Sequence, residues 1–301
     1  MEIGLIFALL TAVSFAMSSI FLRKGMFRVG ESFSALVITV FIGTIYFSLA
    51  VTFTGEWNKV WSLSWQGLAL LGGAGIIHFI LGRFLTLTCI RLIGANKSAT
   101  LTRTSIFFAV ILAVIFLNES LSIPIVLGIL CIAGGATLVS IEKKGVNVEK
   151  QSEPSKIQTK GILSGLAAGF FWGVSPILVK PGVEEIGSPS AGAFVSFVFA
   201  SLILAGLLFR KGQREQLVKL PRSSLISLII AGVFQTTAQL FRYTALSYSP
   251  VSLVEPFVSI QVLLILFFSF LLNRKLEVFS WRVIVGMVAA TAGAILLSYR
   301  F

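Results

Sequence analysis

A polar stretch divides this chain into two long hydrophobic halves that resemble each other. The stretch covers residues 142–160, reads EKKGVNVEKQSEPSKIQTK, and has five Lys and three Glu but no apolar run. Such a composition is typical of a solvated linker. The first half begins with GLIFALLTAVSFAMSSIFLRKG at 4–25 and the second with GILSGLAAGFFWGVSPILVKPG at 161–182. These two segments align without a gap, which indicates an internal duplication.

The ends of the two halves also match. LNESL at 117–121 resembles LNRKL at 272–276, once a small difference in length is allowed. We therefore predict three parts: a first repeat over 1–141, a polar linker over 142–160 and a second repeat over 161–301.

The composition places both repeats in a lipid bilayer. Hydrophobic residues make up 56% of the chain and charged residues 12%, whereas soluble domains have about 25% charged residues. Apolar runs of about 20 residues mark spanning helices. The predicted spans are 4–22, 33–53, 66–91, 98–117, 122–141, 161–180, 190–209, 223–247, 251–272 and 280–299. Five spans in each half force the halves into opposite orientations. The predicted fold is thus an all-α integral membrane protein with ten transmembrane helices as two inverted five-helix repeats, an arrangement common in secondary transporters.

The loops between the predicted spans differ in charge. We call side A the side that the chain reaches after the first span, and side B the opposite side. Side A has 18 of the 24 Lys and Arg residues, and side B has three. By the positive-inside rule, side A is cytoplasmic. We therefore expect a multi-pass protein of the cytoplasmic membrane, with both termini outward and the 142–160 linker in the cytoplasm. The formal charge of +12 then reports topology, and we expect no nucleic-acid partner.

Three short motifs resemble a known family of transporters. They are FWG at 171–173, LVEPF at 253–257 and FLNESL at 116–121. Together with the duplication, they make the chain similar to the drug/metabolite transporter superfamily, in its ten-helix EamA-type branch. The resemblance implies a central cavity between the two halves that opens to each side in turn. It implies transport, but it does not identify the cargo.

The chain departs from the family pattern at three places. Phe15-Ala16 stands where the family often has Trp-Gly, and the mid-helix Pro that the family usually has near Ser105-Ile106 is missing. The LNRKL segment of the second half lacks the Glu of LNESL.

Two arginines inside predicted spans are the first candidates for contact with cargo. A charge at the centre of a spanning helix costs roughly 2.5–3.5 kcal/mol on insertion scales, so such residues are functional candidates. Arg83 and Arg103 lie at similar depth on either side of the turn near Gly94, and the first five predicted spans contain no acid. The guanidinium group matches carboxylate or phosphate, so we predict an anion site. The alternative is that each side chain extends toward side A or bonds backbone carbonyls.

The second half places a cation and an acid at matching depth. Arg242 and Glu255 flank the turn at Ser249-Pro250, and this spacing predicts an ion pair. The pair is either a structural clamp or one that opens when substrate or a proton binds. Glu255 is the only acid inside any predicted span, which makes it the candidate for a proton-coupling carboxylate. Pro256 removes a backbone donor directly after it, as in the broken helices near transport sites.

Further residues in the spans are weaker candidates. His78 in the third span is either a packed histidine that bonds a carbonyl or a proton relay. Four polar side chains of the second half are predicted to line the cavity: Gln235, Gln239, Gln261 and Tyr243. Trp172 is either part of an apolar cavity wall or of the helix packing.

The function that these features favour is secondary transport. We predict a carrier that moves a small metabolite, anionic or zwitterionic, by a gradient or by exchange. The alternative is a multidrug or lipid-intermediate translocator of the same fold. The sequence has no H-E-x-x-H, P-loop or G-x-S-x-G motif, and Asp is absent, so we expect no enzyme, no catalytic residue, no cofactor and no metal site. The expected partners are a small-molecule substrate and the bilayer; a monomer and a homodimer both remain open.

Overall fold

The computed structural model describes most of the chain. It covers residues 2–26, 32–93, 98, 101–141, 156–208 and 220–272, together with eight separate positions between 281 and 296. Residues 142–155 of the predicted linker lie outside the described residues. So does most of the predicted tenth span, 280–299.

The described chain folds into helices separated by short connections. In chain order they are α1 (Glu2–Met26), α2 (Ser32–Thr54), α3 (Trp57–Trp61), α4 (Trp65–Gly75), a π-helical segment (Ile76–Gly82), α5 (Arg83–Ile93), α6 (Ser105–Leu117), α7 (Ile123–Ile141), α8 (Lys156–Ile186), α9 (Pro189–Leu208), α10 (Arg222–Tyr248), α11 (Val251–Ser259) and α12 (Gln261–Leu272).

These helices have the lengths and hydrophobicity that a membrane fold requires. Six helical stretches of the described chain are long and apolar enough to cross a bilayer, and shorter apolar helices occupy further predicted spans. The bounds agree with most of the predicted spans to within a few residues. The sixth predicted span, 161–180, is the main exception. Helix α8 has 31 residues and begins at Lys156, so residues 156–160 are helical and not part of an irregular linker. A helix of this length exceeds the apolar thickness of a bilayer at about 1.5 Å per residue, so its polar first turn reaches water.

The first helices of the two halves run in opposite directions. Gly4, at the start of α1, packs directly against the Ser249 side chain. Lys180, near the end of α8, donates from Nζ to the Ser249 carbonyl oxygen at 3.2 Å. The start of one helix and the end of its counterpart therefore lie at the same end of the molecule. This orientation confirms the prediction of an all-helical membrane fold built from inverted repeats.

A stripe of glycines brings α8 close to the fourth span. A Cβ on Gly173 would lie 2.9 Å from the Ala109 backbone nitrogen, and one on Gly169 would overlap the Thr104 hydroxyl oxygen. Contacts this close leave no room for a side chain, as expected where packing rather than water drives helix association. The stripe fixes α8 against the part of the fourth span that contains Arg103.

Candidate functional site

Three of the spans are irregular near the middle of the molecule. The third span changes from α-helix to π-helix over Ile76–Gly82 and returns to α-helix at Arg83. The fourth is interrupted by a turn at Arg103 and Thr104, and the ninth by a turn at Ile260. π-Helical segments and interrupted spans are frequent at functional sites of membrane proteins.

The interruptions of the fourth and ninth spans are related by the internal duplication. The shift that places Leu117 on Leu272 also places Thr104 on Ser259. Thr104 Oγ1 donates to the carbonyl oxygen three residues earlier, at 2.7 Å. Ser259 Oγ makes the equivalent bond to the Pro256 carbonyl oxygen, at 2.6 Å. At both breaks a hydroxyl thus donates to a carbonyl beside the irregular turn. The Leu101 carbonyl also accepts from the Thr104 backbone N–H at 3.2 Å. The fourth span breaks here although it lacks the proline that the family usually has.

These irregular segments surround a cavity of about 370 Å³. Its walls come from α1, α2, the π segment, α5, α6, α8, α10, α11 and α12, together with Ser98, Thr102 and Arg103. The lining residues therefore belong to both halves of the chain. On the described helices they extend from the middle of the molecule to the side A ends, where Leu22 and Ala35 lie. The volume is within the range of small-molecule sites.

The two arginines predicted as an anion site both line this cavity. Arg83 begins α5 directly after the π segment, and Arg103 lies at the break of the fourth span. Among the described residues, neither has a carboxylate within ion-pair distance. The Nε atom of Arg103 is buried and has no hydrogen-bond partner. The cavity wall thus holds two guanidinium groups that the described protein does not neutralise.

The predicted ion pair of the second half is present at the deep end of the cavity. Arg242 donates from Nη2 to Glu255 Oε1 at 2.7 Å and from Nε to the same oxygen at 2.9 Å. The Arg242 side chain is 3% exposed and that of Glu255 is 14% exposed. Both bonds fall on one carboxylate oxygen, so the other oxygen of Glu255 has no bond from Arg242. Helix α8 also includes Glu184 and Glu185, but both lie in its last turn. Among the described residues, Glu255 is therefore the carboxylate that lies farthest from the end of its helix.

His78 is paired with a side chain of the second half. It lies in the π segment, and its Nε2 is 3.0 Å from the Gln239 amide nitrogen. This geometry fits Gln239 donating to an unprotonated Nε2, a side-chain partner that neither reading of His78 from the sequence named. The imidazole also stacks on the Trp172 indole with ring centroids 6.1 Å apart. His78 and Trp172 both line the cavity.

Three of the predicted site residues lie behind the cavity wall. Tyr243 is fully buried, and its hydroxyl donates to Ser196 Oγ at 2.8 Å. Gln239 is fully buried behind His78. Pro256 is inside α11. None of the three is among the residues that form the wall. In their predicted roles in binding and gating, they can act on the cargo only through neighbouring residues that line the cavity.

At the opposite end of the molecule, side B, polar contacts join the two halves. Glu56 follows α2 and accepts from Ser188 Oγ and Ser190 Oγ, both at 2.7 Å. Burial raises the pKa of Glu56, but the hydrogen bonds from Lys59, Ser188, Ser190 and Thr54 outweigh it and hold this pKa at about 2. The carboxylate is therefore ionised at neutral pH, when its bonds to the second half are strongest.

A second carboxylate joins the halves beside the ion pair. Asn118 ends α6 in the left-handed conformation, with φ of 53°. The next residue, Glu119, accepts from the backbone N–H groups of Val251 and Ser252 at 2.7 and 2.9 Å. These groups begin α11 and have no partner within the helix. The Glu of LNESL thus caps the helix that contains Glu255, which gives that motif a physical role.

Sequence reasoning missed several parts of this site. Phe15, Ser98 and Ser105 line the cavity, but small polar and aromatic residues are too common in membrane helices to stand out. The paired breaks in the fourth and ninth spans could have been found from the sequence. Aligning the two halves places Thr104 on Ser259, and this match of two hydroxyl residues was available from the sequence alone.

An inverted repeat around a cavity lined by both halves is the architecture of a class of membrane transport proteins. Comparison with known proteins identifies the branch. The sequence pattern of the EamA-like transporter family matches residues 2–141 and again residues 159–299. The chain therefore belongs to the EamA-like transporter family, within the drug/metabolite transporter superfamily, which confirms the resemblance seen in its motifs.

Two individual proteins are similar to this chain. An uncharacterized transporter in the cobO 3'region of Sinorhizobium sp. is 31% identical over 140 residues, which are 44% of this chain and 94% of that protein. A solved structure, titled only as the crystal structure of a protein, superimposes with a TM-score of 0.78 at 14% identity. The superposition covers 98% of this chain and 96% of the other, and it supports the fold.

Proposed function

We propose that this protein is a secondary transporter that moves a small anionic or zwitterionic metabolite across the cytoplasmic membrane. The cargo binds in the cavity between the two halves, at Arg83 and Arg103. Transport proceeds by alternating access, and a gradient or the exchange of a second solute drives it.

The observation that supports this proposal best is the charge of the cavity. Three arginines and one glutamate line it. Arg242 and Glu255 neutralise each other, whereas Arg83 and Arg103 have no ion-pair partner among the described residues. Uncompensated cations in a low-dielectric site attract an anion more strongly than they do at a surface. The same charge disfavours cationic drugs, so we prefer a metabolite carrier to a multidrug translocator.

The position of the cavity and the contacts at side B support alternating access. The cavity reaches the side A ends of its helices, while Glu56 and Glu119 hold the two halves together at side B. This arrangement is one end state of a carrier. We propose that side A is cytoplasmic, because its loops contain most of the cations.

The test is a binding measurement on the purified full chain. A thermal-shift screen against metabolite anions first finds the best ligand, because a ligand that binds the folded state raises its apparent stability. The affinity of that ligand is then measured for Arg83→Gln, Arg103→Gln and the corresponding Lys variants. Losing a charge-assisted hydrogen bond is expected to weaken binding roughly tenfold or more. Lys keeps the charge but loses the planar group, so its effect should be smaller.

Arg222→Gln is the matched control. Arg222 is exposed at the start of α10 and does not line the cavity, so its loss should leave binding unchanged. Two results would contradict the proposal. If no anion or zwitterion stabilises the parent protein, the substrate class is wrong. If both cavity Gln variants bind as tightly as the parent, the arginines are structural.

A further inference from the structure

Most hydroxyl groups around the cavity are already engaged with the protein. Seven Ser and Thr residues line it, and in six of them the hydroxyl lies within hydrogen-bonding distance of a protein oxygen to which it donates. The six are Ser18, Ser19, Thr86, Ser98, Thr102 and Ser259. Four of these bonds return to a carbonyl three or four residues earlier in the same segment.

Few of these hydroxyl groups are therefore free to donate to a bound molecule. The protons of these hydroxyls point at the protein and not at a ligand, while the guanidinium groups of Arg83 and Arg103 carry donors that the described protein leaves without a carboxylate. A sugar or polyol would need donors and acceptors along its whole length, because an unmatched polar group in a buried site costs binding free energy. An anionic group on an apolar body needs donors at one place only.

The rest of the wall suits an apolar body. Phe15, Leu36, Ile106 and Ile265 contribute apolar surface. Trp172 lies against Gly82, where a Cβ would overlap the indole, and it stacks on His78 at 27° between ring planes. The indole is thus held in place by its neighbours, as a fixed flat surface must be to favour one ligand shape.

We infer that the cargo is an amphipathic organic anion, with one carboxylate or phosphate bound by the cavity arginines and an apolar body against Trp172 and the aliphatic wall. The inference rests on the proposed function and narrows it from anions in general to anions with a substantial apolar part. It makes Trp172 a residue that determines specificity.

The experiment compares four probes on the unmodified full chain in detergent, by calorimetry. The probes are 3-phenylpropionate, its neutral counterpart 3-phenylpropanol, propionate, which lacks the ring, and glycerol phosphate, which has a polar body. We expect 3-phenylpropionate to bind at least about tenfold more tightly than each of the others, because only it uses both the arginines and the apolar wall. Its binding should also show a more negative heat-capacity change than that of propionate.

The outcomes separate this inference from the proposed function. If propionate or glycerol phosphate binds as tightly as 3-phenylpropionate, the amphipathic cargo is wrong while an anion carrier still stands. If 3-phenylpropanol binds as tightly as 3-phenylpropionate, the charge plays no part and both proposals fail. If no probe binds, the cargo is not an amphipathic organic anion. The metabolite screen described above then decides whether the protein binds anions or zwitterions at all.

Two variants assign the preference to residues. Trp172→Ala should reduce the ratio of the 3-phenylpropionate affinity to the propionate affinity severalfold. Arg103→Gln should instead reduce the ratio of the 3-phenylpropionate affinity to the 3-phenylpropanol affinity. Trp281→Ala removes an exposed tryptophan outside the cavity and should change neither ratio. An unchanged ring preference in Trp172→Ala would remove Trp172 from the site, and the series on the unmodified chain decides the inference even if that variant does not fold.

Discussion

Glu255 is a partly buried acid whose charge is compensated by one arginine. Replacing it with Gln leaves Arg242, which is 2% exposed, as a buried cation with a weaker partner. Breaking such a pair by removing one member costs about 3–5 kcal/mol, mostly because the remaining charge is stranded. We therefore expect Glu255→Gln to lower the free energy of unfolding by up to this amount, measured by denaturant titration in detergent.

The double variant distinguishes a structural pair from a coupling carboxylate. Arg242→Gln added to Glu255→Gln should restore part of the lost stability, since the stranded charge is gone. If Glu255 also couples transport to protons, neither variant should show gradient-driven uptake in vesicles. Normal pH-dependent uptake by Glu255→Gln would exclude the coupling role, even if its stability is reduced.

Glu56 should make the stability of the protein depend on pH in acid only. Its pKa is about 2 in the folded chain and 4.5 in its ordinary state. A lowered pKa stabilises the fold fully above pH 4.5, and this contribution is lost as the pH falls toward 2. The melting temperature of Glu56→Gln should therefore lie below that of the parent at pH 6–8, and the difference should shrink between pH 4.5 and 2. A difference that stays constant over that window would contradict the assigned interactions. Glu184→Gln, which removes a more exposed carboxylate at the same end, is the control.

The sequence predicted which single residues are charged in the membrane, but not all of their partners. Rarity identified Arg83, Arg103, Arg242 and Glu255, because a charge in an apolar span has few explanations. The pairing of Arg242 with Glu255 followed from equal depth on adjacent helices. The bond from Gln239 to His78 did not follow, since it depends on the rotation of two helices about their axes, and spacing along the sequence does not determine that rotation.

The paired breaks of the fourth and ninth spans are built by the same local contact. We expect Thr104→Val and Ser259→Ala each to lower the free energy of unfolding by about 1 kcal/mol, the usual net value of one hydrogen bond. Each removes the hydroxyl bond to a carbonyl at a break, so transport should slow in both. Unfolding and vesicle uptake are the two measurements.

Thr244→Val is the control for these variants. Thr244 donates to the Leu240 carbonyl oxygen at 2.8 Å inside the continuous helix α10, where that carbonyl remains in the regular ladder. Loss of the Thr244 hydroxyl bond should lower the free energy of unfolding by less than the other two variants do, and it should leave uptake unchanged. Equal effects in all three variants would mean that the breaks have no special role.

Helix positions were predictable because hydrophobic length alone determines where a chain can span a bilayer. The irregular segments were harder to predict from the sequence. The π segment at Ile76–Gly82 contains no proline, and the break at Thr104 occurs without one. Both depend on tertiary contacts, such as the approach of Gly169 to Thr104 and of Gly82 to Trp172, and neither contact can be read from a single segment.

The orientation that we propose for the whole molecule rests on the loop charges and can be tested by labelling. In a variant with Cys89 and Cys131 replaced by Ala, single cysteines at positions 151 and 301 report the linker and the C-terminus. We expect an impermeant reagent applied outside the cell to label position 301 and to leave position 151 unlabelled. The reverse pattern would invert the assignment of side A to the cytoplasm.

The central claim is that the two halves separate at side B during transport. The direct measurement uses Glu56→Cys with Ser188→Cys in the same cysteine-free background, bridged by a short thiol-reactive cross-linker. Glu56 and Ser188 join the two halves, so the bridge should abolish uptake into proteoliposomes, and a reducible linker should restore it on cleavage. The control pair, Glu56→Cys with Lys59→Cys, lies within the first half and should transport normally when bridged. Full uptake with the halves cross-linked at side B would contradict alternating access in this protein.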